Sequence, residues 1–282
     1  MEDRNNLPHT QVYSPHNLSE LFSFWSRFQD SVLYAGGTDL LRGQTKRLFH
    51  LPKNIISLEK MEELRKTDRT ERYLEIGSLL CLSDILRLGK IVPESLGTII
   101  KSIGNPRLRN LATIGGAILS THRFSDLHAA LIVLDAQYEY RSATNAHWVS
   151  ASRFVVSENE LLSSEKALIS RIRIPLSHWD YLFHKKIGHP HRDDPGGGTF
   201  ILLCNRQKTI ITELHYIFTG QTIIRFKDIE TNLIGQNIPL SDKTIESVLE
   251  QCLDILVEKI PDHRYLQNNI IRSIKVALSG LL

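Results

Sequence analysis

Ser31-Val32-Leu33-Tyr34-Ala35-Gly36-Gly37-Thr38-Asp39-Leu40 is a short apolar run that stops on two glycines. The run reads as a strand and the glycine pair as a tight turn, because glycine takes φ > 0 without steric cost. Successive glycines also let a ligand reach backbone N–H groups with no Cβ in the way, which suits a phosphate, and Thr38 can add a hydroxyl donor. A purely structural turn would use the same residues, so one such motif leaves both readings open. It is neither the Gly-x-Gly-x-x-Gly of a Rossmann fold nor a P-loop with its lysine.

A second copy changes that balance. Ala112-Thr113-Ile114-Gly115-Gly116-Ala117 follows Asn105-Pro106-Arg107-Leu108-Arg109-Asn110 and reads as another glycine turn. Two separate amide nests can hold the pyrophosphate of a dinucleotide from opposite sides. Asp126 lies ten residues past Gly116. Its carboxylate can either accept hydrogen bonds from ribitol or ribose hydroxyls or cap a helix before the apolar stretch 127–134.

Outward from these loops, Leu18, Leu21, Phe22, Trp25 and Phe28 recur at helical spacing, so a helix feeds the first strand. Asn54-Ile55-Ile56-Ser57-Leu58 reads as a buried strand and Tyr73-Leu74-Glu75-Ile76-Gly77 as an alternating one, with helical patterns over 82–88 and 96–103. Strands are expected over 137–141 and 168–174, and Pro175 ends the latter because proline cannot donate to a ladder. Further strands are expected over 182–187, 199–203, 210–218 and 222–225, then helices over 241–258 and from 262 onward. The expected fold is α+β. A two-lobed domain spans 1–175, with lobes 1–58 and 59–175, and a smaller α+β domain of a sheet with packed helices spans 176–282.

The two loops, in this order and at this separation, resemble the FAD loops of the flavin subunits of molybdenum hydroxylases of the xanthine dehydrogenase and carbon monoxide dehydrogenase type. Ala35 to Leu40 resembles the first loop. Arg109-Asn110-Leu111-Ala112-Thr113-Ile114-Gly115-Gly116 with Ser125-Asp126-Leu127 resembles the second and its ribityl-binding aspartate. Leu168-Ile169-Ser170-Arg171-Ile172-Arg173-Ile174-Pro175 is similar to the strand that closes the family's flavin domain. Lys186-Ile187-Gly188 is similar to its Lys-x-Gly opening of the C-terminal domain, and Arg225 with Glu230, Leu233 and Gly235 to a later Arg…Glu-x-x-Leu-x-Gly element.

The resemblance implies a PCMH-like FAD-binding domain. In it Ala35, Gly36, Gly37, Thr38, Asp39 and Leu40 would clasp the FAD pyrophosphate together with Thr113, Ile114, Gly115, Gly116 and Ala117. Asp126 would hold the ribityl chain, Ile103 and Ile169 would pack on flavin or adenine, and Lys186 would lie near the flavin, favouring its reduced, anionic form. It further implies a molybdopterin-binding large subunit and an iron–sulfur small subunit as partners, with NAD or another compound as electron acceptor. Two departures stand out. Ala117 occupies a position where the family commonly has Asn, which removes a side-chain hydrogen bond and keeps the backbone donor. Residues 184–194 hold His184, His189 and His191 and lead into the glycines of 196–198, read as a loop near the flavin rather than a metal site.

Composition narrows the alternatives. At 282 residues the chain exceeds one ordinary domain, and 41% hydrophobic with 23% charged residues is globular. The net charge of +3, from 34 basic and 31 acidic residues, is spread without the basic stripe a nucleic-acid binder needs. No apolar run reaches the roughly 18 residues of a membrane span. The first thirty residues hold His and Asp where a leader would be apolar, so a cytoplasmic protein is expected. Cys81, Cys204 and Cys252 are too scattered for a disulfide framework or a cluster cassette, so iron–sulfur clusters are expected in a partner. No residue here is expected to act as acid, base or nucleophile on an organic substrate. The competing readings are a self-contained FAD oxidase or reductase of the same broad fold, which needs a substrate-activating acid or base, and a flavin-free assembly scaffold, to which Ala117 lends weight.

Overall fold

The computed structural model of the chain describes residues 9–41, 51–120, 126–154, 166–188 and 197–282. Ser125, His189, His191 and Gly196 lie outside the described residues. Two compact units emerge, and neither is continuous in sequence. The first takes Met1–Gly89, Gly104–Leu119 and Gln137–Ile174; the second takes Lys90–Ile103, Ser120–Ala136 and Pro175–Leu282.

In the first unit, Asn17 caps the helix Leu18–Arg27 by accepting from the Glu20 amide at 2.9 Å. The helix buries Leu21, Phe22 and Trp25 against Ile56, Leu58, Met61 and Leu64. Beside it lies a three-stranded parallel sheet with Asn54–Ser57 in the middle, flanked by Gln11–Tyr13 and Ser31–Tyr34. Ile55 and Ile56 point to opposite faces and are both buried, which explains why this strand reads as an unbroken apolar run.

A five-stranded sheet completes the unit, in the order Thr67–Arg69, Tyr73–Gly77, Leu168–Pro175, Gln137–Arg141, Ala146–Ser150. Its central strand alternates imperfectly in sequence because its two arginines lie over the sheet in an ionic network. Arg171 grips Glu139 with Nε at 3.0 Å and Nη2 at 2.7 Å, and reaches Glu75 with Nη1 at 3.0 Å. Arg173 donates to Glu75 at 2.8 Å and stacks 4.0 Å from the centre of the Trp148 ring. Burial works to raise the Glu139 carboxyl, but hydrogen bonds from Arg171 and Ser170 outweigh it and hold its pKa below the ordinary value.

The second unit is built on an antiparallel sheet in the order Ile223–Arg225, Ile210–Thr219, Gly198–Gln207, Tyr181–Ile187. Phe200, Leu202 and Cys204 share a core with Cys252, Leu256, Ile270 and Ile274 of the helices Asp242–Lys259 and Arg264–Ser279. The intervening Thr199, Ile201 and Leu203 are buried too, because the helix Asp126–Val133 packs against this strand and its neighbour Ile210–Thr219. That helix is buried along nearly its whole length, so it shows no amphipathic period from which its place could be read. Its membership of the second unit, together with Glu94–Lys101, departs from the contiguous 59–175 lobe expected from sequence. No helix of the described residues is long and apolar enough to cross a membrane.

Burial pushes the His128 imidazole down to about 4 from its ordinary 6.5. The folded chain therefore holds His128 neutral while the unfolded chain takes up a proton near 6.5. Stability is full above that value and is lost as the pH falls toward 4, by on the order of 3 kcal/mol. Urea unfolding measured between pH 7 and 4.5 should show this loss, and His128→Leu should flatten the slope. A slope unchanged by the substitution would assign the acid sensitivity elsewhere.

Candidate functional site

The first glycine loop leaves the sheet where Leu58 donates to the Tyr34 carbonyl at 2.8 Å, the last rung of the parallel ladder. Gly37 then takes φ +67°, and a Cβ there would also fall within 2.9 Å of three atoms of the Tyr34 ring. The backbone angle requires glycine there, whereas the far end of the Tyr34 side chain can shift to make room. At Gly36 a Cβ would meet the Leu111 carbonyl oxygen at 1.7 Å. The demand for glycine at 36 thus comes from chain packed against chain, not from space for a phosphate. The amides of Gly36, Gly37 and Thr38 have no acceptor among the described residues.

The second loop is not the expected turn. Thr113 caps a short helix, Ile114–Ile118, its hydroxyl accepting from the Gly116 amide at 3.2 Å. Threonine is a good cap, whereas paired glycines have the poorest helix propensity after proline, which is why the sequence reads as a turn. The amides here already have acceptors: Ile114 donates to Leu80 at 2.9 Å, Gly115 to Ser78 at 2.9 Å and Ala117 to Thr113 at 2.9 Å. Two equivalent amide nests were expected; the structure has one whose donors have no acceptor among the described residues and a second whose donors are engaged internally.

Both loops line one cavity of about 340 Å³ within the first unit. Ala35, Gly36, Gly37, Thr38, Asp39 and Leu40 form one wall, and Thr113, Gly115, Gly116 and Ile169 also line it. Ile114 is turned into the core and fully buried, and Ala117 is not part of the lining. Sequence reasoning missed the rest of the lining, the polar Ser78 and the largely apolar Val32, Leu33, Tyr34, Leu58, Leu79, Leu119 and Leu168. Only Ser78 carried any signal, as the residue directly after the Tyr73–Gly77 strand. The volume is at the low end of ligand pockets, so it takes part of a dinucleotide. Three adjacent N–H donors without an acceptor among the described residues, at the end of a parallel strand, suit its phosphates, so the residues present fit the group.

The remaining candidates, Ile103, Asp126 and Lys186, belong to the second unit. Lys186 Nζ lies 2.6 Å from Asp126 and donates to the Ser102 carbonyl at 2.8 Å. Thr199 donates to the other Asp126 oxygen. Asp126 therefore starts a helix with both oxygens engaged, and Lys186 is charge-paired rather than a lone cation. Lone pairs left on the carboxylate can still accept from a hydroxyl. His184, on the same strand as Lys186, is half-buried, and burial lowers its pKa. Of the glycine-rich stretch, Gly198 begins a strand, where a Cβ would meet the Phe218 ring and the Thr219 carbonyl at 2.4 Å. That glycine serves close strand packing instead of a loop. Among the described residues no group of His, Cys, Asp and Glu is arranged to hold a metal ion.

In this α+β chain a glycine loop that follows a parallel strand lines an apolar cavity, and the amides of Gly36, Gly37 and Thr38 have no acceptor among the described residues, an arrangement that suits a phosphate-bearing cofactor. The chain belongs to the family described as FAD binding domain in molybdopterin dehydrogenase, whose model matches residues 8–177. It is 27% identical over 172 residues to the carbon monoxide dehydrogenase medium chain of Hydrogenophaga pseudoflava, covering 60% of this chain and 59% of that one. It is 24% identical over 245 residues to xanthine dehydrogenase 2 of Arabidopsis thaliana, covering 80% of this chain but 18% of the plant protein. The chain thus spans less than two thirds of either relative. A solved structure of the Hydrogenophaga pseudoflava carbon monoxide dehydrogenase, lacking the Mo-pyranopterin moiety of its cofactor, matches with a TM-score of 0.79. The match covers 97% of each chain at 20% identity, which shows the α+β fold.

Proposed function

We propose that this chain is the FAD-binding, electron-transferring subunit of a molybdopterin-dependent dehydrogenase. The chain would hold FAD, whose chemistry would relay electrons from the iron–sulfur clusters of a partner to NAD or another acceptor. The organic substrate is oxidised on a molybdopterin-binding large subunit. A xanthine dehydrogenase-like member of the family is part of this proposal, while the order and separation of the two glycine loops support the family itself. A cytoplasmic location accords with this reading.

The observation that carries the reading is that Gly36, Gly37 and Thr38, whose amides have no acceptor among the described residues, line one cavity with Thr113 and Gly116. There the amides of Gly36, Gly37 and Thr38 would bind phosphate oxygens, the Thr38 hydroxyl would add a donor, and Ile169 and Leu79 would exclude water from the apolar wall. The domain boundary near Pro175 and the roles of Asp126, Ile103 and Lys186 toward the cofactor form part of this proposal. The flavin supplies the passage from single electrons to a hydride equivalent.

The purified single chain should reduce an artificial dye with NADH and fail to oxidise purines or aldehydes. Efficient oxidation of either by the pure chain, free of molybdenum and iron, would replace the relay by a self-contained oxidase.

A further inference from the structure

The central strand Leu168–Pro175 of the five-stranded sheet carries one residue more than its neighbour Gln137–Arg141 can pair. Ile172 lies opposite Tyr138 and Arg171 opposite Glu139, but the residue opposite Tyr140 is Ile169, which leaves Ser170 as a bulge. Directly opposed residues share a face of the sheet, and Tyr138 and Tyr140 alternate regularly about Glu139. Ile169 therefore stands on the face of Ile172, whereas an unbroken alternation would place it with Arg171 and Arg173. Ile169 lines the cofactor cavity, so this one extra residue decides what that wall is made of.

A single carboxylate fastens the bulge. Glu139 accepts from the Ser170 hydroxyl at one oxygen and from Arg171 at both, at 3.0 and 2.7 Å. Two consecutive side chains, which a regular strand sends to opposite faces, thereby meet on one group. Ser170 and Glu139 are both buried, so a strand slipped by one residue would take a donor from a carboxylate that water cannot reach. The backbone carries the arrangement onward. The Ser170 carbonyl accepts from the Ser78 amide at 3.0 Å, and the Ser78 carbonyl accepts from the Gly115 amide at 2.9 Å. Ser78 and Gly115 line the same cavity as Ile169, and Glu139 does not. We infer that Glu139 is a positioning residue for the cofactor, holding Ile169 and Ser78 in the cavity wall through the Ser170 bulge, an inference that rests on the FAD-binding reading above.

The test compares the full wild-type chain with Ser170→Ala, Glu139→Gln, their double variant and Arg173→Met. FAD affinity is read from flavin fluorescence, stability from urea unfolding, and the bulge itself from hydrogen exchange of the Ser78 amide in the cofactor-free chain. Arg173→Met is the control, since it removes an ion pair to Glu75 at 2.7 Å on the same sheet and leaves Ser170, Glu139 and Arg171 in place. Each single substitution at the bulge should raise the FAD dissociation constant on the order of tenfold and speed Ser78 exchange by a similar factor. The double variant should be no worse than the weaker-binding single, because both changes act through one bulge. Arg173→Met should lose stability while keeping FAD affinity within about twofold of wild type and Ser78 exchange unchanged. Wild-type affinity in both bulge variants, an equal loss of affinity in Arg173→Met, or additive losses in the double variant would overturn the positioning role. A wild-type chain that binds no FAD would instead sink the reading on which the inference stands. Ser78 exchange would still judge the bulge in that case, and rates unchanged by Ser170→Ala and Glu139→Gln would overturn it.

Discussion

Gly36→Ala should destabilise the first unit by about 3 kcal/mol, at the upper end of what overpacking costs, and release its flavin. The added Cβ would lie 1.7 Å from the Leu111 carbonyl oxygen and 2.7 Å from its carbon, and both are backbone atoms with no rotamer to yield. Either the loop or the helix Pro106–Leu111 must move, and the cavity wall moves with it. The melting temperature should fall by roughly 6 to 12 °C. Gly116→Ala is the control, because its Cβ would meet only the Thr113 hydroxyl, at 3.0 Å, and its φ is not positive. Alanine is also the better helix former, so the stability of that variant should stay within about 1 kcal/mol of wild type. Thermal unfolding followed by circular dichroism separates the two. Equal and small effects at both positions would show that the Gly36–Leu111 contact is not what the loop depends on.

Arg225→Met should destabilise the second unit by about 3 kcal/mol, since removing one partner of a buried pair leaves the other charge uncompensated. Arg225 lies 2.7 Å from Asp135 and 3.4 Å from Glu230, with its side chain 12% exposed and that of Glu230 7%. Glu230 also accepts from the Tyr216 amide at 2.8 Å and so fastens the helix Lys227–Leu233 to the sheet. Glu230→Gln keeps that acceptor and should cost less. Urea unfolding curves for the two variants give the comparison, and an Arg225→Met chain as stable as wild type would remove the pair from any structural role. The Arg…Glu-x-x-Leu-x-Gly element is on this account a brace: Leu233 enters the core, and Gly235 turns the chain with φ +86°.

How much was legible depended on whether the signal was local. The helix Leu18–Arg27 and the two long C-terminal helices carry their periodicity within ten to twenty residues, the strands Ser31–Tyr34 and Asn54–Ser57 carry theirs as short apolar runs, and all are found where the pattern puts them. Gln11–Tyr13 and Ala146–Ser150 were missed because both are short edge strands with little burial to pattern them. The helix Pro106–Leu111 was missed for the same reason, since its leucines face solvent. The discontinuous units could not be read at all. Asp126–Val133 is apolar on every side, and only tertiary packing decides which sheet it covers.

At the site, the glycine pairs told that the backbone is closely approached without telling by what. At Gly36 the neighbour is Leu111, at Gly115 it is Ser78, and at Gly37 it is the Tyr34 ring. Long-range contacts of this kind leave the same mark in a sequence as a bound phosphate does. The amides of Gly36, Gly37 and Thr38, without an acceptor among the described residues, are what distinguish a ligand site from a packing contact, and hydrogen-bond partners cannot be read from residue types.

The central claim is that this loop and cavity hold FAD. The most direct measurement is the visible spectrum of the purified chain after incubation with FAD and gel filtration, with the released cofactor identified by chromatography. The account predicts a protein-bound flavin spectrum with one FAD per chain, abolished by Gly37→Val, since a β-branched residue resists φ +67° in the cofactor loop. A folded wild-type chain that emerges colourless, or a Gly37→Val chain that retains full flavin, would contradict it.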